Sequence, residues 1–143
     1  MRITETFEIG RPPQEVFDYV ADPANLAAWQ TSKTRVEPES DGAPRQGYRI
    51  REWTKPPGTK EFEQLVEFSE FVPPSRLQVH IVEGPQPIDG TWTFAPIATG
   101  TRVDFVAEGE VRGPMRFLGP LFTAGLRRQF AQYHQHLKRN LET

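Results

Sequence analysis

The side chains that could do chemistry in this chain are few and scattered. Its three histidines are His80, His134 and His136. His134 and His136 stand two apart in a helical stretch, roughly 200° around the axis, so they cannot grip one metal ion together. His80 alternates with Leu77, Val79 and Ile81 and should point away from their face. With no ligand spacing elsewhere, no metal site is expected, and the histidines read best as solvated surface groups. His134 adjoins an apolar stripe and could also serve as a lone polar group at the end of a cavity. Ser32, Ser40, Ser69 and Ser75 sit at strand ends or turns with no histidine beside them, so a Ser–His nucleophile is not expected. There is no cysteine, which removes thiol chemistry, disulfides and thiolate metal sites.

Carboxylates offer more. Tyr48, Ile50 and Glu52 alternate and share one strand face, and a carboxylate facing an apolar cavity could move protons. Glu52 and Tyr48 are therefore the candidate catalytic pair. Two plainer readings compete for Glu52: it reaches water at the strand end, or it pairs with an arginine. In a register where Trp53 faces inward, Glu52 would face out. Glu5, on the Ile3–Ile9 face, and Gln64, between Phe62 and Val66, could anchor a ligand's polar group, although each is more often a structural hydrogen-bonding residue.

The aromatics carry the larger signal, at 11% of the chain. Most must be ordinary core, because large rings dominate core burial. Those midway along inward strand faces, or facing a long helix, are candidates to line a cavity. The candidate ligand-binding set is Tyr48, Ile50, Phe62, Gln64, Val79, Trp92, Phe105, Phe117, Phe122 and Leu126. Tyr48 and Trp92 add polar handles that a ligand oxygen could use.

These residues need a frame, and periodicity supplies one. Ile3, Phe7 and Ile9 alternate along a predicted strand, and Gly10-Arg11-Pro12-Pro13 breaks it. Val16, Phe17 and Val20 then form a helical stripe, and Asp22-Pro23 caps a second, short helix through Leu26 and Trp29. From about residue 33 to 111, six predicted strands follow at short spacing: 33–37, 47–54, 61–71, 76–83, 88–94 and 101–111. Pro and Gly punctuate them, which predicts an antiparallel meander. Phe122, Leu126, Phe130, Tyr133, Leu137 and Leu141 recur at steps of three and four, the stripe of a long amphipathic helix. Pro120 predicts two helical pieces or a kink there. No repeat or linker divides the sequence, so one domain over 1–143 is expected.

Charge is nearly balanced overall, at net −2, which does not favour nucleic acid as a partner. It is unevenly placed: residues 112–141 hold six basic and no acidic side chains. A basic amphipathic helix can touch anionic lipid. The stripe is needed to fill the sheet, so the basic face is expected to be solvated against an acidic sheet. The apolar segment Met115-Arg116-Phe117-Leu118-Gly119-Pro120-Leu121-Phe122 keeps peripheral membrane contact in view, as a lid or docking patch beside a cavity mouth, with Gly84-Pro85-Gln86-Pro87 as a second gate. No apolar run reaches membrane-span length and the first residues do not open a signal peptide, so a cytoplasmic location is expected.

A strand, two short helices, six antiparallel strands and a long C-terminal helix is the order of the α+β helix-grip fold, in which a curved sheet wraps the last helix. The residues Phe7-x-Ile9-x-x-Pro12-Pro13-x-x-Val16-Phe17-x-Tyr19-Val20-x-Asp22-Pro23 and Trp29 resemble the opening of the START-like (SRPBCC) superfamily. Val72-Pro73-Pro74-x-x-Leu77, Trp92-x-Phe94-x-Pro96, Gly100-Thr101-x-Val103 and Leu137-Lys138-x-x-Leu141-Glu142 resemble its later landmarks. The likeness spans essentially the whole chain and is closest to the polyketide cyclase/dehydrase branch. It implies a cavity for a small hydrophobic molecule between sheet and helix, and no cofactor. The landmarks are packing and turn residues, so no catalytic residue carries over. Two activities follow: binding of a lipid- or polyketide-like ligand, or a cofactor-free cyclase or dehydratase using the same cavity. The state expected is monomer or homodimer.

Overall fold

The computed structural model describes residues 1–143. The opening alternation forms β1 (Arg2–Ile9), with Ile3 and Ile9 buried and Arg2, Thr4 and Thr6 turned to solvent. The prolines after it start α1 (Pro13–Ala21), where a missing N–H costs nothing because first-turn N–H groups have no helical partner. Val16, Phe17, Val20 and Ala21 are its buried face. Asp22 then accepts a hydrogen bond from the Ala24 N–H at 2.9 Å, capping a 3₁₀ turn over Pro23–Asn25. The short α2 (Leu26–Trp29) follows and buries both of its end residues.

Six strands come next: β2 (Lys33–Pro38), β3 (Arg49–Thr54), β4 (Phe62–Val72), β5 (Arg76–Glu83), β6 (Ile88–Ile97) and β7 (Gly100–Gly109). With β1 they make one seven-stranded sheet in the order β1-β7-β6-β5-β4-β3-β2, antiparallel at every pair. Its two sequence-terminal strands therefore meet at one end, and α1 and α2 span the gap from β1 to the far edge. Register shifts insert an extra residue in β2 between Lys33 and Arg35, in β4 between Phe68 and Glu70, and in β5 between Ile81 and Glu83. Each extra residue bends and twists its strand, which curls the sheet.

The long C-terminal stripe forms α3 (Gly119–Glu142), which the sheet wraps. A 3₁₀ segment, Gly113–Leu118, precedes it. The joint is Gly119, at φ +22°, a conformation that favours glycine, and Pro120 falls in the first helical turn. The two expected helical pieces are thus a 3₁₀ segment and a helix.

The last third of α3 closes one half of the concave face. His134 lies at its centre, 2% exposed, ringed by Phe7, Trp29, Trp92, Phe105 and Phe130. The Trp92 indole N–H donates to His134 Nε2 at 3.0 Å, so the imidazole proton sits on Nδ1, 2.6 Å from Glu5 Oε1. This corrects the solvated reading of His134: its polar atoms are satisfied inside the core, linking β1, α3 and β6. His80 does face outward, half-exposed beside Asp89.

The helix end is fastened to the β1–α1 turn. Glu142 Oε2 accepts the Gly10 N–H at 2.8 Å and lies 2.8 Å from Lys138 Nζ, which also donates to the Glu8 carbonyl. The Lys138 bond first, and the Gly10 N–H second, hold the Glu142 carboxyl below its usual pKa. A lowered folded-state pKa adds stability that is present above the unfolded value and lost as pH falls through the folded one. Glu142→Gln is expected to lower the urea midpoint at neutral pH. The gap to the wild type should narrow only as pH drops below about 4, the usual carboxylate range.

Candidate functional site

Beyond the His134 cluster the sheet and helix diverge. The first half of α3, α2 and the inner faces of β3 to β6 enclose a cavity of about 970 Å³. Alternation dictates its wall. Ile50, Glu52 and Thr54 face inward from β3; Phe62, Gln64, Val66 and Phe68 from β4; Leu77, Val79 and Ile81 from β5; Trp92 from β6. Phe122, Leu126, Phe130 and Tyr133 face them from α3. On β6, Gly90 also lies in the wall; a Cβ there would stand 3.3 Å from the Trp92 ring and press it back by a few tenths of an ångström.

One polar strip crosses this apolar wall. Glu52 is 4% exposed and turned inward, which decides the register: Trp53 lies on the outer face under the Arg35 guanidinium. The strip is built across three strands, since Glu52 pairs in register with Gln64, and Lys33 with Thr54. Glu52 Oε1 accepts the Gln64 Nε2 amide at 2.9 Å and sits 3.2 Å from Lys33 Nζ. Both side chains of that ion pair are about 5% exposed. The partner of Glu52 is thus a lysine, where an arginine or bulk water was the expectation. Its Oε2 makes no hydrogen bond. Thr54 Oγ1, next to Glu52 on β3, and Trp29 Nε1, of a ring packed on Trp92 and His134, are buried in the lining without any partner.

Of the sequence candidates, Ile50, Glu52, Phe62, Gln64, Val79, Trp92, Phe122 and Leu126 lie in the cavity wall. Three lie elsewhere. Tyr48 precedes β3 at the end of the sheet away from the cavity, its ring stacked on Phe68 at 5.9 Å, so the Tyr48–Glu52 catalytic pair is not assembled. Phe105 is sealed behind the wall, 4.8 Å from the Trp92 ring and 4.7 Å from that of Phe130. Phe117 is 77% exposed on the 3₁₀ segment, with the Arg116 guanidinium over its ring. Trp92 stays in the wall but offers no free N–H, because His134 takes it.

The mouth lies between residues 55–60, Pro85-Gln86 and the Gly113–Leu118 segment. Gln86 joins two of these: its Nε2 donates to the Arg112 carbonyl at 3.0 Å, and its Oε1 accepts the Arg112 N–H at 2.8 Å. No three His, Asp or Glu side chains gather anywhere to hold a metal ion, and no helix is long and apolar enough to cross a membrane.

The buried pair makes an energetic statement that can be checked. Removing one member strands the other charge in an apolar wall, whereas replacing both by apolar groups of similar size removes the desolvation cost as well. Glu52→Leu is expected to cost about 3 kcal/mol in urea unfolding, and the double variant Glu52→Leu/Lys33→Met to recover all but about 1 kcal/mol of it. Equal costs for the single and double variants would mean that water, not Lys33, neutralises Glu52.

Comparison with known proteins places this geometry. The family described as polyketide cyclase/dehydrase and lipid transport matches residues 1–142. No curated protein matches the chain. Among solved structures, TTHA0849 from Thermus thermophilus is similar at TM-score 0.85 and 21% identity, over 99% of this chain and 97% of that one. CV1439 from Chromobacterium violaceum is similar at TM-score 0.78 and 19% identity, over 100% and 99% of the two chains. A Rhodobacter sphaeroides protein gives 0.74 and 17%, over 98% and 91%. At these identities the likeness is one of fold.

Proposed function

Since the chain belongs to the polyketide cyclase/dehydrase and lipid transport family, we propose that it is a binding protein whose cavity holds one small hydrophobic or aromatic molecule. The observation that carries this is the cavity itself. At about 970 Å³ it lies at the upper end of the ~300–1,000 Å³ range of small-molecule sites, with apolar walls and one polar strip. Apolar burial at roughly 25 cal/mol per Å² drives entry. The Lys33–Glu52–Gln64 strip sets orientation, because it offers a polar ligand group charged and hydrogen-bonding partners between the apolar faces of β3 and β4.

Glu52 favours a second reading. Its Oε2 is free of hydrogen bonds and it is the sole acid in the wall, so it could take a proton from a bound poly-β-ketone in a cyclase or dehydratase. The cavity would supply the folded substrate shape that such a reaction needs.

Native mass spectrometry of the purified protein, with its organic extract analysed alongside, separates these. A carrier retains a stoichiometric apolar adduct, and Val79→Phe, which projects a ring into the cavity, loses it. A clean protein mass, together with consumption of a linear poly-β-ketone thioester by the wild type but not by Glu52→Gln, would replace the carrier with the enzyme.

A further inference from the structure

The mouth of the cavity is rimmed by exposed apolar side chains and by cations. Leu121 and Phe117 are 71% and 77% exposed, Leu118 is 46% exposed and Met115 36%. Of the large apolar side chains that face solvent, only Val72 lies elsewhere. A small domain seldom leaves four such residues together on one surface unless something covers them.

The charge surrounding them identifies what that is. Arg112 and Arg116 belong to the same segment, and Lys55, Lys60 and Arg128 line the mouth. None of these five has an acidic partner within ion-pair distance. Many of the sheet's acids pair with other cations on its outer face: Arg35 with Glu37, Arg49 with Glu67, Arg76 with Glu70 and Arg102 with Asp104. Glu61, Glu83 and Glu110, which flank the mouth segments in sequence, come within ion-pair distance of none of the five cations. Glu52, deep in the wall, is held by Lys33. The basic end of the chain thus carries cations at the mouth that no acid meets at ion-pair distance. Its apolar tip and unpaired cations lie side by side, the composition that seats a helix at a bilayer interface.

We infer that the Gly113–Leu121 tip is a docking surface for an anionic lipid bilayer. Phe117 and Leu121 enter the headgroup–acyl boundary, and the surrounding arginines and lysines meet lipid phosphates. Gly113 at φ +71° and Gly119 at φ +22° bound the 3₁₀ segment, making it a short separate unit at the rim. Met115, Leu118 and Leu121 also line the cavity, so the surface that meets lipid continues into the binding space. An apolar molecule could then pass from bilayer to cavity without crossing water. Docking itself does not require the cavity to be occupied, so it stands apart from the binding proposal above.

The test is co-sedimentation with vesicles of phosphatidylcholine alone and of phosphatidylcholine mixed with phosphatidylglycerol. Binding is expected to the mixed vesicles, at least tenfold above phosphatidylcholine alone, and to weaken at about 1 M salt, where screening acts within roughly 3 Å. Arg112→Gln/Arg116→Gln should weaken it tenfold or more, since each cation near an anionic surface contributes roughly fivefold. Phe117→Asp/Leu121→Asp should abolish it while leaving the thermal midpoint unchanged, because both side chains are exposed. Absence of binding to the mixed vesicles, or binding that survives Phe117→Asp/Leu121→Asp, overturns the inference. So does a wild-type dimer that the aspartate variant converts to monomer without any vesicle binding, since the tip would then be covered by a second copy of this chain.

Discussion

A seven-stranded sheet bent by bulges in β2, β4 and β5 presents more concave apolar area than one helix can cover. The rest of the molecule follows from how that mismatch is resolved. Where α3 is anchored, through Glu142 and Lys138 to the β1–α1 turn and through His134 to Trp92 and Glu5, helix and sheet are in contact and the interior is solid. Towards its N-terminus the helix has no such ties to the sheet, its one side-chain bond there being from Gln129 to Ser32, and the space opens into the cavity. Closed core and open site are thus two ends of one interface, set by where the polar fastenings lie.

The two interior polar groups play opposite parts in this. The Glu5–His134–Trp92 chain is fully paired, and such a network fixes one packing arrangement, since any shift of α3 would leave a buried donor unmet. The Lys33–Glu52–Gln64 strip is paired through only one carboxylate oxygen, with Thr54 Oγ1 unpartnered beside it. Unmet polar groups are costly inside a protein and cluster where something else is meant to meet them. The completed network lies at the closed end of the interface and the incomplete one at the end that opens into the cavity.

The fold was legible because its signals are local. Period-two alternation, Pro and Gly punctuation and the three–four stripe of α3 each report on a few neighbouring residues, and they name every element in order. Glu52 was legible on the same ground, through its parity with Ile50. Lys33 was not: the shift between Lys33 and Arg35 inverts the parity of β2, so that Lys33 and Val36 both lean inward. Alternation counted back from Val36 would have put Lys33 outside. His134 left a readable trace, four residues after Phe130 and three before Leu137, within the apolar stripe. Its acceptor role depended on Glu5 and Trp92, more than a hundred and about forty positions away in sequence. Tyr48 misled because parity fixes which face a residue occupies, not how far along the strand the cavity extends.

The cavity also constrains how the protein stays folded. A dry void costs roughly 24 cal/mol per Å³ in small engineered cases, and even a fraction of that over 970 Å³ would exceed the ~5–15 kcal/mol that holds a domain together. The space must therefore be filled in solution, by water reaching in through the mouth or by a ligand. The polar strip makes water tolerable, because Lys33, Glu52 and Gln64 offer it hydrogen bonds that Leu, Val and Phe cannot. An apolar ligand that displaces this water gains the burial of the wall and stabilises only the folded state, by roughly 2.7 kcal/mol at a hundred times its dissociation constant. The Lys33–Glu52 pair, unfavourable as a stability device, is then a polar site at which water can be held in an otherwise apolar wall.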